Sequence, residues 1–166
     1  KNVLVIGSTG QIGSELTMKL RGLYNGNIVA GYIPGAEPKG ELLESGPSAV
    51  VDVTKPEQIG EVVSKYKIDT IYNLAAILSA VAEVKPQLAW TIGMGGLFNV
   101  LEVAREKQCA VFTPSSIGSF GDNTPKDKTP QDCRLETCHN YTVLGNKELC
   151  EVPLDVCLAL IVGICL

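Results

Sequence analysis

The chain opens on a short apolar run that leads directly into three glycines spaced three residues apart. The run is Val3–Ile6, the glycines are Gly7, Gly10 and Gly13, and leucines at helical spacing follow. In such a turn one glycine closes the bend, one lets the backbone approach a pyrophosphate, and one lets the helix pack close to the strand. Amides at the helix N-terminus then face the phosphate charge. The sequence therefore predicts a nucleotide-binding turn between a strand and a helix.

Strand and helix patterns alternate along the chain, which predicts an α/β fold with a parallel sheet. The expected strands are 2–6, 27–32, 49–53, 70–75, 110–114 and 154–162. Six such strands fit a doubly wound parallel sheet (Rossmann fold) with strand order 3-2-1-4-5-6. Its ligand lies across the carboxyl ends of strands one and four, where the strand order reverses.

Between the strands, apolar residues at helical spacing predict helices, and clusters of turn-forming residues predict surface connections. Thr54, Pro56 and Glu57 predict a helix start, with a threonine cap, a proline in the first turn and an acidic residue at capping-box spacing. The expected helices are 10–21, 54–66, 86–107 and 147–151, and the expected surface connections are 35–46 and 121–138.

Composition and charge exclude several classes of partner. Hydrophobic residues make up 45% of the 166 residues and charged residues 19%, as in a globular chain with a sizeable core. The net charge is −4 and no Lys/Arg stripe is present, so we expect no nucleic-acid partner. The most apolar run, 156–166, is shorter than a bilayer span. We expect it to be a buried strand and expect no membrane association.

Six cysteines raise the question of disulfides or a zinc site. Only Cys133, Cys138 and His139 form a cluster, and it lacks a matching second pair of ligands. We therefore expect reduced thiols in a cytosolic enzyme and no metal. The strand pattern begins at residue 2, so we expect no secretory signal. The expected location is cytoplasmic, or mitochondrial in a eukaryote, with no transit peptide in this chain.

The glycine spacing resembles that of the extended short-chain dehydrogenases/reductases, the NAD-dependent epimerase/dehydratase superfamily. Five segments are more specifically similar to the short-chain type of L-threonine 3-dehydrogenase: 10–16, 77–80, 88–90, 99–104 and 114–121. The resemblance covers residues 1 to about 125. It implies NAD as cofactor, L-threonine as small-molecule substrate, 2-amino-3-ketobutyrate as product, and a homodimer. It also implies that 1–166 is the NAD(P)-binding domain and that the family's C-terminal substrate lobe is absent.

The resemblance also implies roles for particular side chains. In this superfamily a tyrosine removes the hydroxyl proton as hydride leaves, assisted by a nearby lysine, and a serine or threonine holds the substrate oxygen. Ser116 matches that serine position, with Ser115 beside it as the alternative, and Ser79 matches a threonine contact. Tyr141 and Lys147 are the candidates for the catalytic pair.

The expected cofactor contacts follow four strands. The phosphate loop comes after strand one, the ribose position ends strand two, the adenine contact ends strand three, and the segment under the adenine ribose follows strand four. The matching residues are Gly7, Gly10, Gln11, Ile12, Gly13, Tyr32, Asp52, Val53, Leu74, Ala75 and Ala76.

The chain departs from the family pattern at several of these places. Tyr32 stands where the family has an acidic residue, and a tyrosine cannot accept two hydrogen bonds as a carboxylate does. Tyr141 and Lys147 are six residues apart instead of four, and Leu144 aligns with the catalytic tyrosine if one residue is lost. Two alternatives therefore stand beside the dehydrogenase: a dinucleotide-binding module without catalysis, and a sugar-nucleotide epimerase-like enzyme.

The long expected helix contains three glycines within four positions, at 93, 95 and 96. Each costs a helix roughly 1 kcal/mol relative to alanine. Such a cluster indicates either a locally weak helix or a close approach of the helix backbone to the sheet.

Overall fold

The computed structural model describes residues 1–114 together with Pro125 and Asp127. Five parallel strands form one sheet in the order β3-β2-β1-β4-β5. The strands are β1 (Val3–Ile6), β2 (Ile28–Tyr32), β3 (Ser48–Val50), β4 (Thr70–Asn73) and β5 (Ala110–Phe112). The predicted α/β class and the first five positions of the predicted order are confirmed. The expected sixth strand and the helix at 147–151 lie outside the described residues.

Six α-helices and one π-helical turn connect these strands within the described part of the chain. They are α1 (Gln11–Leu23), α2 (Glu41–Glu44), α3 (Pro56–Tyr66), α4 (Ser79–Val84), α5 (Pro86–Trp90), the π turn (Thr91–Gly95) and α6 (Gly96–Lys107). No helix among the described residues is both long enough and apolar enough to cross a membrane. The expected loop at 35–46 contains α2, and α4 was not expected.

The core lies on both faces of the sheet, because β1 and β2 are buried on both sides. One face packs Leu4, Val29 and Ile71 against residues of α3 and α6. On the other face, Val3 and Val5 cluster with Leu20 of α1. Alternate side chains of one strand thus enter opposite layers, as expected for a parallel sheet covered by helices.

The start of α3 corrects the predicted cap. Thr54 does not cap the helix, since Lys55 is the residue at the cap position. Instead, Thr54 donates its amide (2.9 Å) and its hydroxyl (2.7 Å) to Oδ1 of Asp52. Asp52 prefers this local turn because its short carboxylate reaches the backbone two residues on. The same turn ends β3 at Val50, before the expected limit at residue 53.

The expected single helix over 86–107 is divided by the π turn. Within the described residues, a Cβ on Gly93 or on Gly95 would meet no atom within 4 Å. A Cβ on Gly96 would lie 2.6 Å from Cγ2 of Val53. Close backbone approach therefore explains Gly96 alone. The other two glycines lie in the π turn, where i→i+5 bonds replace the α-helical pattern.

Arg21 near the end of α1 connects four segments. Its guanidinium donates to the carbonyls of Ile28 (3.2 Å), Leu42 (2.6 Å) and Pro47 (2.7 Å), and to Oγ of Ser45 (2.8 Å). Burial of the guanidinium lowers the pKa of Arg21 from its usual value. This side chain joins α1 to β2, to α2 and to the segment that enters β3.

Candidate functional site

The turn after β1 meets the segment after β4. Gly7 has a φ of +78°, a left-handed conformation that side chains disfavour. A Cβ there would lie 3.0 Å from the carbonyl oxygen of Leu74. The Leu74 amide in turn donates to the carbonyl of Ile6 (3.0 Å). Gly7 is thus the glycine that closes the turn, and the loop after β1 lies directly against the loop after β4.

The third glycine brings α1 against that turn. A Cβ on Gly13 would overlap the carbonyl oxygen of Gly7 and lie 2.9 Å from its carbonyl carbon. The buried hydroxyl of Thr17 donates to the carbonyl of Gly13 (2.7 Å). Gly13 is thus the glycine that lets the helix pack close to the strand, as one of the three was expected to do.

The N-terminus of α1 is left open between these glycines. Gly10 occupies the cap position with extended backbone. Among the described residues, no side chain caps this helix, and its first turn carries no acidic group. The first amides of the helix, at Gln11 and Ile12, therefore point out with their partial positive charge unneutralised. These open amides, next to the glycine turn, fit a pyrophosphate.

The end of β2 places a tyrosine beside this loop. Tyr32 is half-buried, and its carbonyl accepts a hydrogen bond from Val51 (2.7 Å). Buried Ser8 donates its hydroxyl to the carbonyl of Gly31 (2.9 Å), which ties the end of β2 to the phosphate loop. The structure thus places Tyr32 at the expected strand end, with no carboxylate there.

The loop after β2 borders a hollow of about 410 Å³. Its walls include Thr9 and Ser14 of the phosphate turn, Glu37 and Lys39 of the loop, and Leu42 of α2. The Gly35 amide donates to Oε1 of Glu37 (2.8 Å). That hydrogen bond is the main cause that holds the pKa of exposed Glu37 below its usual value.

The expected adenine contacts lie just beyond β3. Oδ1 of Asp52 accepts both bonds from Thr54, whereas Oδ2 accepts none from residues 1–114. The carbonyl of buried Val53 accepts a bond from Nδ2 of Asn99 (2.9 Å). Asp52 thus closes a turn through Oδ1, and the Val53 carbonyl is hydrogen-bonded to α6.

The segment expected under the adenine ribose, 74–76, directly follows Asn73, which was not among the expected site residues. Asn73 is only 5% exposed, and its Oδ1 accepts a bond from the Ala75 amide (3.4 Å). Its carbonyl accepts a bond from the hydroxyl of Thr113 (3.4 Å). Asn73 therefore holds the segment 74–76 at the sheet edge. An amide in the last position of an apolar strand was the available signal.

The structure brings the phosphate loop, Tyr32, Asp52, Val53 and the segment 74–76 to one edge of the sheet. Ser79 is the first residue of α4, six residues beyond the end of β4. The other predicted catalytic and substrate contacts lie outside the described residues; they are Ser115, Ser116, Tyr141 and Lys147.

The chain is similar to proteins of one family over most of its length. The model of the NAD dependent epimerase/dehydratase family matches residues 3–145. An uncharacterized epimerase/dehydratase from Staphylococcus saprophyticus is 49% identical over 132 residues, covering 79% of this chain and 41% of that relative. The chain thus spans less than half the length of this relative.

Two solved structures share both fold and sequence with the chain. An L-threonine dehydrogenase from Clostridium difficile is 47% identical with a TM-score of 0.72, over 82% of this chain and 43% of that one. A GalE-like L-threonine dehydrogenase from Cupriavidus necator, in its holo form, is 37% identical with a TM-score of 0.71, over 82% and 44% respectively.

Proposed function

The chain belongs to the NAD dependent epimerase/dehydratase family, and from that premise we propose that it serves NAD-dependent oxidation of L-threonine to 2-amino-3-ketobutyrate. Membership places it among the extended short-chain dehydrogenases/reductases, with NAD as cofactor. The observation that carries the proposed substrate is the likeness to solved L-threonine dehydrogenases across the sheet. The open N-terminus of α1 supports the binding site of the cofactor.

The proposed chemistry divides between the cofactor and the chain. Bound NAD supplies the acceptor for the hydride that leaves the carbon bearing the hydroxyl. We assign to Tyr141 the removal of the hydroxyl proton and to Lys147 the positive charge that favours the phenolate. Ser116 holds the substrate oxygen, and Ser79 or Ser115 contacts the rest of L-threonine. These assignments rest on the family resemblance of the sequence.

The proposed reaction is tested by adding L-threonine and NAD to the chain and following the absorbance of reduced nicotinamide. We expect NADH to form only when both are present. Tyr141→Phe should lower turnover by about 100-fold or more, because it removes the general base. Tyr66→Phe, on α3, is the matched control and should leave turnover unchanged. Turnover of UDP-sugars in place of L-threonine would contradict the proposed substrate, and full activity of Tyr141→Phe would contradict the proposed base.

A second candidate is a binding module that keeps the NAD pocket without turnover. The six-residue spacing of Tyr141 and Lys147 favours it, because residues four apart share a helix face and residues six apart do not. In that case NAD raises the melting temperature while L-threonine yields no NADH. The same assay therefore separates the two candidates.

We also propose that two copies of the chain pair through the outer face of α5, the π turn and α6. Trp90 is 45% exposed and Phe98 64% exposed, and they flank a hollow of about 380 Å³ that Thr54 and Asn99 also line. Exposed aromatic side chains around a hollow are typical of interfaces.

In sedimentation the chain should be a dimer, and Phe98→Glu should make it a monomer. Leu43→Glu, on α2, is the control, and a monomeric unsubstituted chain would contradict the pairing.

A further inference from the structure

The adenosine ribose needs an acceptor that the end of β2 does not provide. In dinucleotide-binding units an acidic residue about 20 residues beyond the glycines accepts hydrogen bonds from the ribose hydroxyls. Here the strand ends in Tyr32, whose hydroxyl offers less acceptor capacity than a carboxylate. A carboxylate from elsewhere would have to take that role.

Glu37 is a carboxylate that borders the hollow next to the phosphate loop. Gly35 has a φ of +87°, and the Ala36 amide donates to the carbonyl of Ile33 (3.0 Å), so the chain turns back directly after β2. The Gly35 amide then fixes Oε1 of Glu37 at 2.8 Å. The turn therefore holds the carboxylate on the wall of the hollow.

The opposite wall of that hollow belongs to the cofactor loop itself. Thr9 lies between the first two glycines and Ser14 directly follows the third, and both line the same space as Glu37. A pyrophosphate at the N-terminus of α1 thus has its neighbouring ribose within reach of the hollow. Oε2 of Glu37 accepts no hydrogen bond from residues 1–114 and is available to a ribose hydroxyl.

We propose that Glu37 accepts hydrogen bonds from the adenosine ribose of NAD and thereby selects NAD over NADP. The inference rests on the proposed NAD site at the open end of α1. A 2′-phosphate would bring negative charge against the carboxylate, whereas the 2′-hydroxyl donates to it. Lys39 borders the same hollow and is the one cation among its described walls, so it is the group that would oppose this selection.

Glu37→Gln separates the two functions of this carboxylate. The amide oxygen of glutamine keeps an acceptor for the Gly35 amide, but its nitrogen is a donor where the ribose hydroxyl needs an acceptor. The loop should therefore keep its turn, and the melting temperature without NAD should not change. Loss of an acceptor for a charge-assisted bond should weaken NAD affinity about 10- to 100-fold.

The test is calorimetric titration of the chain and its variants with NAD and with NADP. We expect the unsubstituted chain to bind NAD more tightly than NADP. Glu37→Gln should bind NAD more weakly and should show a smaller ratio of NAD to NADP affinity. Glu44→Gln, on α2, is the matched control and should bind NAD as the unsubstituted chain does. If Glu37→Gln and the control bound NAD equally well, the proposed role of Glu37 would be overturned, but the proposed NAD site would not. If the unsubstituted chain instead preferred NADP and Lys39→Met lost that preference, the selection of NAD by Glu37 would be overturned. Lys39 would then be the residue that selects the cofactor. Absence of NAD binding by the unsubstituted chain would instead contradict the proposed function.

Discussion

Gly13→Ala is expected to lower the free energy of unfolding by about 2–3 kcal/mol and to abolish NAD binding. The new Cβ would overlap the carbonyl oxygen of Gly7, so α1 must move away from the end of β1. The atoms that the new Cβ would meet are backbone atoms of this turn, which is hydrogen-bonded to the loop after β4. They cannot move aside as the end of a flexible side chain can. Moving α1 also shifts the open amides at which we propose that the pyrophosphate binds. Urea denaturation and calorimetric titration with NAD measure the two effects.

Gly22→Ala is the matched control, because Gly22 lies in the same helix. Among the described residues no atom lies within 4 Å of a Cβ at this position. Alanine there should stabilise the chain by up to about 1 kcal/mol, because alanine favours a helix more than glycine does, and should leave NAD binding unchanged. Equal stability of Gly13→Ala and Gly22→Ala would show that α1 does not pack on the turn as described.

Arg21→Met is expected to lower the free energy of unfolding by about 2–4 kcal/mol. Methionine keeps much of the aliphatic stem but removes all four hydrogen bonds, leaving the carbonyls of Ile28, Leu42 and Pro47 without this donor. Arg21→Lys should restore only part of the loss, because a single ammonium cannot reach acceptors in three segments at once. Urea denaturation of the three forms gives the comparison.

Arg105→Met provides the control for a lost guanidinium. Arg105 pairs with Glu102 on the surface of α6 at 2.9 Å, with most of the side chain exposed. Exposed pairs three residues apart in a helix contribute little to stability, because water and salt screen them. If Arg21→Met were no more destabilising than Arg105→Met, the four contacts of Arg21 would carry no net stabilisation.

The parallel sheet was predictable because its signal is local. The apolar runs of β1 and β2 and the glycine turn between β1 and α1 depend on neighbouring residues, and both appear where the sequence indicated. The helix α4 and the π turn were missed. No element was expected over the residues of α4, and those of the π turn were expected to belong to one long helix. Helical spacing does not distinguish a π turn from an α-helix.

The glycine positions of the candidate site were predictable, because the backbone there requires the absence of a Cβ. The hydrogen-bond partners of the polar side chains were not. Gly7 and Gly13 are required by contacts that only a missing Cβ permits. Thr54 was expected to cap α3 but donates to Asp52 instead, because an Asx turn and a helix cap use the same residue types. Glu37 was not singled out, since its position in the hollow depends on the turn at Gly35.

The most direct test of the NAD site is the melting temperature of the unsubstituted chain with and without NAD. With NAD at 100 times its Kd, binding to the native state stabilises it by about 2.7 kcal/mol, which raises the melting temperature by roughly 5–10 °C. We expect that rise, and we expect Gly22→Ala to retain it. No rise at saturating NAD, in a chain that melts cooperatively, would contradict NAD binding at the N-terminus of α1.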